Sequence, residues 1–323
     1  GKKPVYWSIP CRTALAEAEV EYQDHASQSI YVKFPVVGRP NTFILIWTTT
    51  PWTLPANLAV AYNSNFYYSL IRVGSEDYIV SGGLLPQVAE KCGWDGYEIV
   101  RSLAGDHLSQ VEYQHPFCAR TGQLYAGDNF VDNTTGTGFV HIAPGHGLED
   151  YGLGQKHGLP IYSPVDDNGC FAYTADLPAE QQMPAEMIGK AILEKHGQSD
   201  ANVAVLHALR LRGALVHQEN FHHSYPHCWR SKTPVIFRAM DQWFIEIDHN
   251  QFREAALEAI NGVQWVPDWG KNRIESAVKG RPDWCISRQR TWGVPIPAFY
   301  DAQGSAMLDA RIVRAAADLI EQQ

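Results

Sequence analysis

The reading of this chain turns on Thr42-Phe43-Ile44-Leu45-Ile46-Trp47-Thr48-Thr49-Thr50-Pro51-Trp52-Thr53-Leu54-Pro55-Ala56-Asn57. The first five residues are apolar and β-prone and predict a buried strand. That strand empties into a row of hydroxyls. Pro51 and Pro55 stiffen the next segment and keep it from continuing as a regular ladder. Three consecutive threonines offer hydroxyl donors and acceptors plus backbone N–H groups, with little rotamer freedom to lose. Such a strand end suits a pocket for a small polar group. A threonine-rich strand end with Trp47 and Trp52 as core residues accounts for the same side chains.

A second stretch has the same character: Gly136-Thr137-Gly138-Phe139-Val140-His141-Ile142-Ala143-Pro144-Gly145-His146-Gly147-Leu148-Glu149-Asp150-Tyr151. Phe139–Ile142 reads as a strand and Gly145–Gly147 as a loop. Glu149 and Asp150 open a helix through about His157, closed by Gly158, because acidic side chains favour a helix N-terminus and glycine its end. His141 ends the strand and lies nine positions before Asp150 across a Pro-Gly loop, so the two can face one pocket.

Both stretches resemble the editing domain of isoleucyl-tRNA synthetases. Trp47 to Asn57 is similar to its threonine-rich signature. The valyl and leucyl relatives carry Arg at the position of Thr50. The second stretch is similar to the family's Gly-Thr-Gly, Val-His, Ala-Pro, Gly and acidic pattern, and His141 and Asp150 fall on its substrate-contacting histidine and aspartate. The resemblance implies a β-barrel-like editing domain inserted into part of a Rossmann-type class I catalytic domain, an α/β and β-rich chain overall. It implies hydrolysis of mischarged Val-tRNA(Ile), with tRNA(Ile), its 3′-aminoacyl end and the valine or isoleucine moiety as partners. Asp150 would hold the ammonium. Thr48, Thr49, Thr50, Thr53 and Asn57 would seat the ester and terminal ribose beside a water, and His141 would gate the larger side chain. Trp47 and Trp52 are carried along as substrate-binding positions, as is Trp292, which matches a tryptophan before glycine in the amino-acid pocket.

Composition sets the frame. The 323 residues suffice for two domains or one with a large insertion, and 45% hydrophobic with 19% charged residues is globular. No apolar run approaches the roughly 18 residues that would span a membrane. The start, Gly1-Lys2-Lys3-Pro4, has no apolar h-region and no Met, so no signal peptide is expected and the chain is expected to begin inside a longer protein. Six scattered cysteines fit a reducing, cytoplasmic setting better than a disulfide scaffold. The net charge of −9 argues against strong non-specific nucleic-acid binding. RNA contact is then local, and Lys271, Arg273, Lys279, Arg281, Arg288 and Arg290 form the best patch. A monomer is expected.

Further strands are predicted over 5–7, 29–37, 67–73, 78–80, 97–102 and 242–245. Helices are predicted over 84–90, 199–219, 249–260 (capped by Asp248), 273–278 and 309–320; 13–20 reads as helix or strand. The expected organisation is a connecting stem over 1–20, the editing domain over 21–200, a return stem over 201–240, a returning catalytic segment over 241–300 and the start of a second insertion over 301–323. Ser8, Cys11, Cys228 and Ser231 occupy positions where relatives can carry two Cys-x-x-Cys zinc pairs. Two thiolates do not make the closed tetrahedral site of structural zinc, so no metal is expected. His-Ile-Gly-His and Lys-Met-Ser-Lys-Ser sequences, which bind ATP in class I synthetases, are absent. No cofactor is therefore expected in this chain, with ATP and Mg2+ left to the full-length enzyme. A free-standing trans-acting deacylase and a non-catalytic tRNA-binding module are the rival readings.

Overall fold

In a computed structural model describing residues 1–194 and 198–322, the chain divides into two compact units, Gly1–Ile286 and Ser287–Gln323. The first unit is β-rich. Its elements in order are β1 (Lys2–Ser8), β2 (Thr13–Leu15), β3 (Val20–Pro35), β4 (Thr42–Thr48), β5 (Ala59–Tyr62), β6 (Tyr67–Val73), β7 (Glu76–Ser81), α1 (Leu85–Cys92), β8 (Glu98–Ala104), β9 (Glu112–Gln114) and β10 (Thr121–Ala126). Next come β11 (Phe139–Ile142), α2 (Leu148–His157), α3 (Asp200–Leu211), β12 (Leu215–Cys228), β13 (Ile236–Asp241), β14 (Phe244–Ile245), α4 (Phe252–Asn261), α5 (Trp269–Lys279) and β15 (Trp284–Cys285).

Three sheets carry the unit: six strands in the order β12-β3-β4-β7-β6-β8, four in the order β11-β5-β10-β9, and three in the order β13-β1-β2. The two larger sheets pack their inner faces together. Alternate residues of β4 divide between two cores, as the strand period of two requires. Ile44 and Ile46 join Val60, Tyr62, Leu124 and Phe139 between the sheets. Leu45 joins Tyr31, Val80 and Val88 under α1, with Phe43 and Trp47 packed against it. The same alternation on β11 sends Phe139 to the inter-sheet core and Val140 and Ile142 to a separate cluster with Leu153.

The sheets have open strand orders, and among the described residues no ring of strands closes. The expected barrel-like form is corrected to two packed open sheets. Residues 242–286 contribute the antiparallel β14–β15 pair, a 3-10 turn at His249–Gln251 and two helices, and among these residues no parallel strands pair. The helix expected over 199–219 stops at Leu211. Gly213 turns the chain at φ +60, and Leu215 onward pairs with β3 as far as Cys228. A free edge on β3 outweighs the helical pattern of those last residues. Asp248 makes no side-chain cap and pairs with Arg253 instead. The 13–20 segment resolves into β2 and a 3-10 turn. Among the described residues, no helix is long and apolar enough to cross a membrane.

β3 is longer than its neighbour. Ile30–Pro35 pair with β4, whereas Val20–Ser29 pair only with β12 and form a two-stranded ribbon. The second unit holds β16 (Phe299–Tyr300), β17 (Ala306–Met307) and α6 (Ala310–Glu321), the helix capped by Asp309 through the Arg311 N–H.

The turn after the threonines is fixed from beneath by Arg120, which sequence reasoning missed. Its buried guanidinium donates to the carbonyls of Pro55, Asn57 and Gln181 at 2.5, 3.0 and 2.5 Å. Removing it orphans three carbonyls at ~1–3 kcal/mol each, partly offset by no longer burying a charge. Arg120→Met is expected to lower the unfolding free energy in urea by about 2–5 kcal/mol. A loss below about 1 kcal/mol would show that the turn holds itself.

Candidate active site

Strand parity puts the site where it is. Thr48 follows Ile44 and Ile46 on the inter-sheet face of β4, and His141 follows Phe139 on the inter-sheet face of β11. Pro51 then starts a 3-10 turn over Pro51–Ala56, all six residues buried, which folds Thr53 back beneath the strand end. The Thr53 N–H donates to the Thr50 carbonyl at 3.0 Å.

The four side chains form one connected set. Thr48 Oγ1 accepts the Thr50 N–H at 3.1 Å and lies 3.3 Å from Thr50 Oγ1. Thr50 Oγ1 lies 3.4 Å from Thr53 Oγ1, and Thr53 Oγ1 lies 2.9 Å from His141 Nε2. These contacts set the proton order. Thr53 Oγ1 donates its one proton to the Thr50 carbonyl at 2.8 Å. It therefore accepts from His141, which carries its proton on Nε2. His141 Nδ1 is left as a bare acceptor, buried and without a partner among the described residues. Burial, then the nearby His146, pushes the His141 imidazole down to about 4, so it is neutral at pH 7.

Asp150 stands at the third position of α2 after the Gly147 cap, and its Oδ2 accepts the Ala143 N–H at 2.7 Å. It thus ties the helix start to the residue two beyond His141. Burial pushes its carboxyl up to about 7, against the lowering by the Ala143 N–H. His146, in the same loop, donates from Nδ1 to the Phe237 carbonyl at 2.8 Å and meets Trp52 edge-on at 5.1 Å. Sequence reasoning gave His146 no role, because a histidine between two glycines carries no signal of the carbonyl that orients it.

The remaining expected residues separate. Thr49 and Thr50 line a narrow groove with His25, Ser27, Tyr225 and Asn202, enclosing about 60 Å³. Trp52 donates its backbone N–H to Asn202 Oδ1 at 3.0 Å. Asn57 faces away from the threonines: its amide donates to the Ala59 carbonyl at 2.7 Å and accepts from Tyr113 at 2.6 Å. Trp47 lies on the opposite face of β4 from Thr48, against Phe221. Trp292 belongs to the second unit and is 92% exposed.

Ser8, Cys11, Cys228 and Ser231 converge from two turns. Ser8 and Ser231 hydroxyls are 3.4 Å apart, and Ser231 donates its N–H to Cys228 Sγ at 3.5 Å. Two thiols and two hydroxyls do not fit a closed zinc site.

All 323 residues match the family of class I tRNA synthetases for I, L, M and V, and the chain belongs to that family. Its similarity is to the isoleucine branch. It is 48% identical over 324 residues to the isoleucine–tRNA ligase of Thermotoga neapolitana, which covers 99% of this chain and 34% of that protein. It is 47% identical over 324 residues to that of Petrotoga mobilis, covering 100% and 34%. The chain thus spans about a third of the length of the curated relatives it matches. Among solved structures, the editing domain of the P. falciparum cytosolic leucyl-tRNA synthetase aligns with a TM-score of 0.34 at 14% identity, over 41% of this chain and 67% of that one.

Asp150 makes a testable contribution to stability. Its carboxyl binds a proton more tightly folded (about 7) than at its ordinary 3.8. The stability this adds is complete below about pH 4 and is lost as pH rises through about 7. Asp150→Asn removes the titration. The unfolding free energy of the wild type minus that of the variant is expected to fall by at most about 4 kcal/mol between pH 4 and 8, at ~1.4 kcal/mol per pKa unit. A pH-independent difference in parallel urea titrations would show that Asp150 is an ordinary carboxylate.

Proposed function

We propose that this chain is the hydrolytic editing region of an isoleucine–tRNA ligase, with its flanking stem and a returning segment of the Rossmann-type catalytic domain. Its reaction is removal of valine wrongly esterified to tRNA(Ile). The observation that carries this reading is the connected set of Thr48, Thr50, Thr53 and a neutral His141 at the meeting of two strand ends.

The chemistry asks little of a catalyst. An aminoacyl ester is already activated, so placing a water and stabilising an oxyanion suffice without a strong base. The threonine hydroxyls and N–H groups seat the ester and terminal ribose. Asp150 receives the ammonium, and that cation draws its carboxyl back to the charged form. A neutral His141 can approach the same ammonium without repulsion, and Nδ1 offers it or a water an acceptor. The imidazole also fills space. Valine lacks one methylene of isoleucine, a difference worth only ~1–3 kcal/mol to a pocket that must accept the larger side chain. That pair is the usual illustration of the general figure, so it says nothing particular to this chain. A second pocket that overpacks around isoleucine supplies the missing discrimination. Isoleucine ligation with ATP and Mg2+ belongs, on this reading, to the full-length enzyme.

Deacylation of Val-tRNA(Ile) and Ile-tRNA(Ile) by wild type, His141→Ala and Asp150→Asn tests the assignment. Wild type should hydrolyse the valyl ester. His141→Ala should gain hydrolysis of the isoleucyl ester by about 10- to 100-fold, the loss of ~1–3 kcal/mol of overpacking, with the valyl rate changing less. Asp150→Asn should slow valyl hydrolysis by roughly 30-fold or more, the cost of ~2–5 kcal/mol for removing one partner of a buried charge pair. An unchanged valine-to-isoleucine ratio in His141→Ala would remove the steric role. Equal slowing of both esters would make His141 a general base instead.

A further inference from the structure

The two-stranded ribbon carries a feature that the hydrolytic set does not use. On one face, aromatic and histidine rings succeed one another from the sheet outward. Trp47 meets Phe221 edge-on at 5.2 Å, Phe221 lies 5.5 Å from His223, and His223 lies 5.5 Å from Tyr225. His25 of β3 stands across from them, 6.3 Å from His223, 5.3 Å from Tyr225 and 5.7 Å from His227. The alternation of β12 produces this row: Phe221, His223 and Tyr225 share one face and are half-buried, while Asn220, His222 and Ser224 on the other face are exposed.

Three observations give the row a direction and a chemistry. It is continuous with the candidate site, because His25, Ser27 and Tyr225 line the same groove as Thr49 and Thr50. That groove is too narrow to take more than the tip of a ligand, so the remainder must lie along the ribbon. Burial also lowers both His25 and His223, favouring their neutral rings, and Ser27 shares a hydrogen bond with His223 at 2.8 Å. At the inner end Trp47 Nε1 is a buried donor with no partner among the described residues. Rings in series, with hydrogen-bonding groups between them, match a strand of unpaired bases, since every base has a face to stack. In the turn beyond the ribbon's far end, Lys232 is paired with Glu21.

We propose that the ring row of Trp47, Phe221, His223, His25 and Tyr225 is a stacking face for the unpaired nucleotides at the 3′ end of the charged RNA, leading its aminoacyl end into the groove at Thr49 and Thr50. The ribbon is then a positioning surface for the substrate and takes no part in bond breaking. This inference rests on the editing reading for the identity of its ligand.

The test uses the 323-residue chain with His25→Leu, His25→Phe and His223→Leu, each checked for an unchanged unfolding midpoint. One arm measures binding of a short single-stranded RNA by fluorescence anisotropy; the other measures KM and kcat for Val-tRNA(Ile) deacylation. His25→Leu and His223→Leu are expected to weaken RNA binding and raise KM by about 5- to 100-fold, the range for losing one base-stacking partner, with kcat falling less than about threefold. His25→Phe, which keeps a ring, is expected to recover most of the loss. Binding by the wild type should fall only shallowly with salt, because few phosphates are neutralised. Unchanged affinity and KM in both leucine variants, or a phenylalanine variant as weak as the leucine one, would overturn the stacking face. A wild type that binds the RNA through these rings but hydrolyses no ester would uphold the stacking face and reject the editing reading.

Discussion

The hydrogen bond from His141 Nε2 to Thr53 Oγ1 is the contact on which the site depends. It joins residues 88 positions apart, and neither strand alone could make it. Its origin is parity. β4 sends its even-numbered residues, and β11 its odd-numbered ones, into the space between the two large sheets. A one-residue slip in either strand would turn Thr48 or His141 toward a different core. The apolar residues Ile44, Ile46 and Phe139 therefore fix the register of the polar ones that come after them. Hydrophobic burial sets the fold, and the site is the polar continuation of the same faces.

Burial then decides the charge states. Burial shifts both groups toward their neutral forms, pushing His141 down to about 4 and Asp150 up to about 7. An imidazole kept neutral keeps one ring nitrogen as an acceptor. A carboxyl poised near neutrality responds to an incoming cation by ionising.

Much of this was legible in the residues. The apolar run Thr42–Trp47, the Phe139–Ile142 strand and the acidic opening and glycine close of α2 all stand where their patterns place them. The union of Thr48, Thr50 and Thr53 with His141 was legible only as a resemblance, since nothing local in either stretch specifies the sheet packing that joins them. Three features were not legible. Arg120 works by reaching carbonyls 63 and 65 residues away, which no spacing reveals. The end of α3 depended on a vacant edge of β3, a tertiary fact that overrides the propensity of Leu215 and its neighbours. Asn57, beside the threonines in sequence, is committed to Ala59 and Tyr113. A residue's neighbours in sequence did not settle which way its side chain faces.

At the junction of the two strand ends His141 is a neutral, Nε2-protonated imidazole whose buried Nδ1 has no partner among the described residues. Nitrogen-15 NMR of the histidine side chains, with His141 assigned by its loss in His141→Ala, tests this directly. The expected spectrum shows an Nε2–H tautomer and no protonation of His141 between about pH 5.5 and 8, because burial holds it down to about 4. An imidazole that titrates near its ordinary 6.5, or that carries its proton on Nδ1, would contradict it.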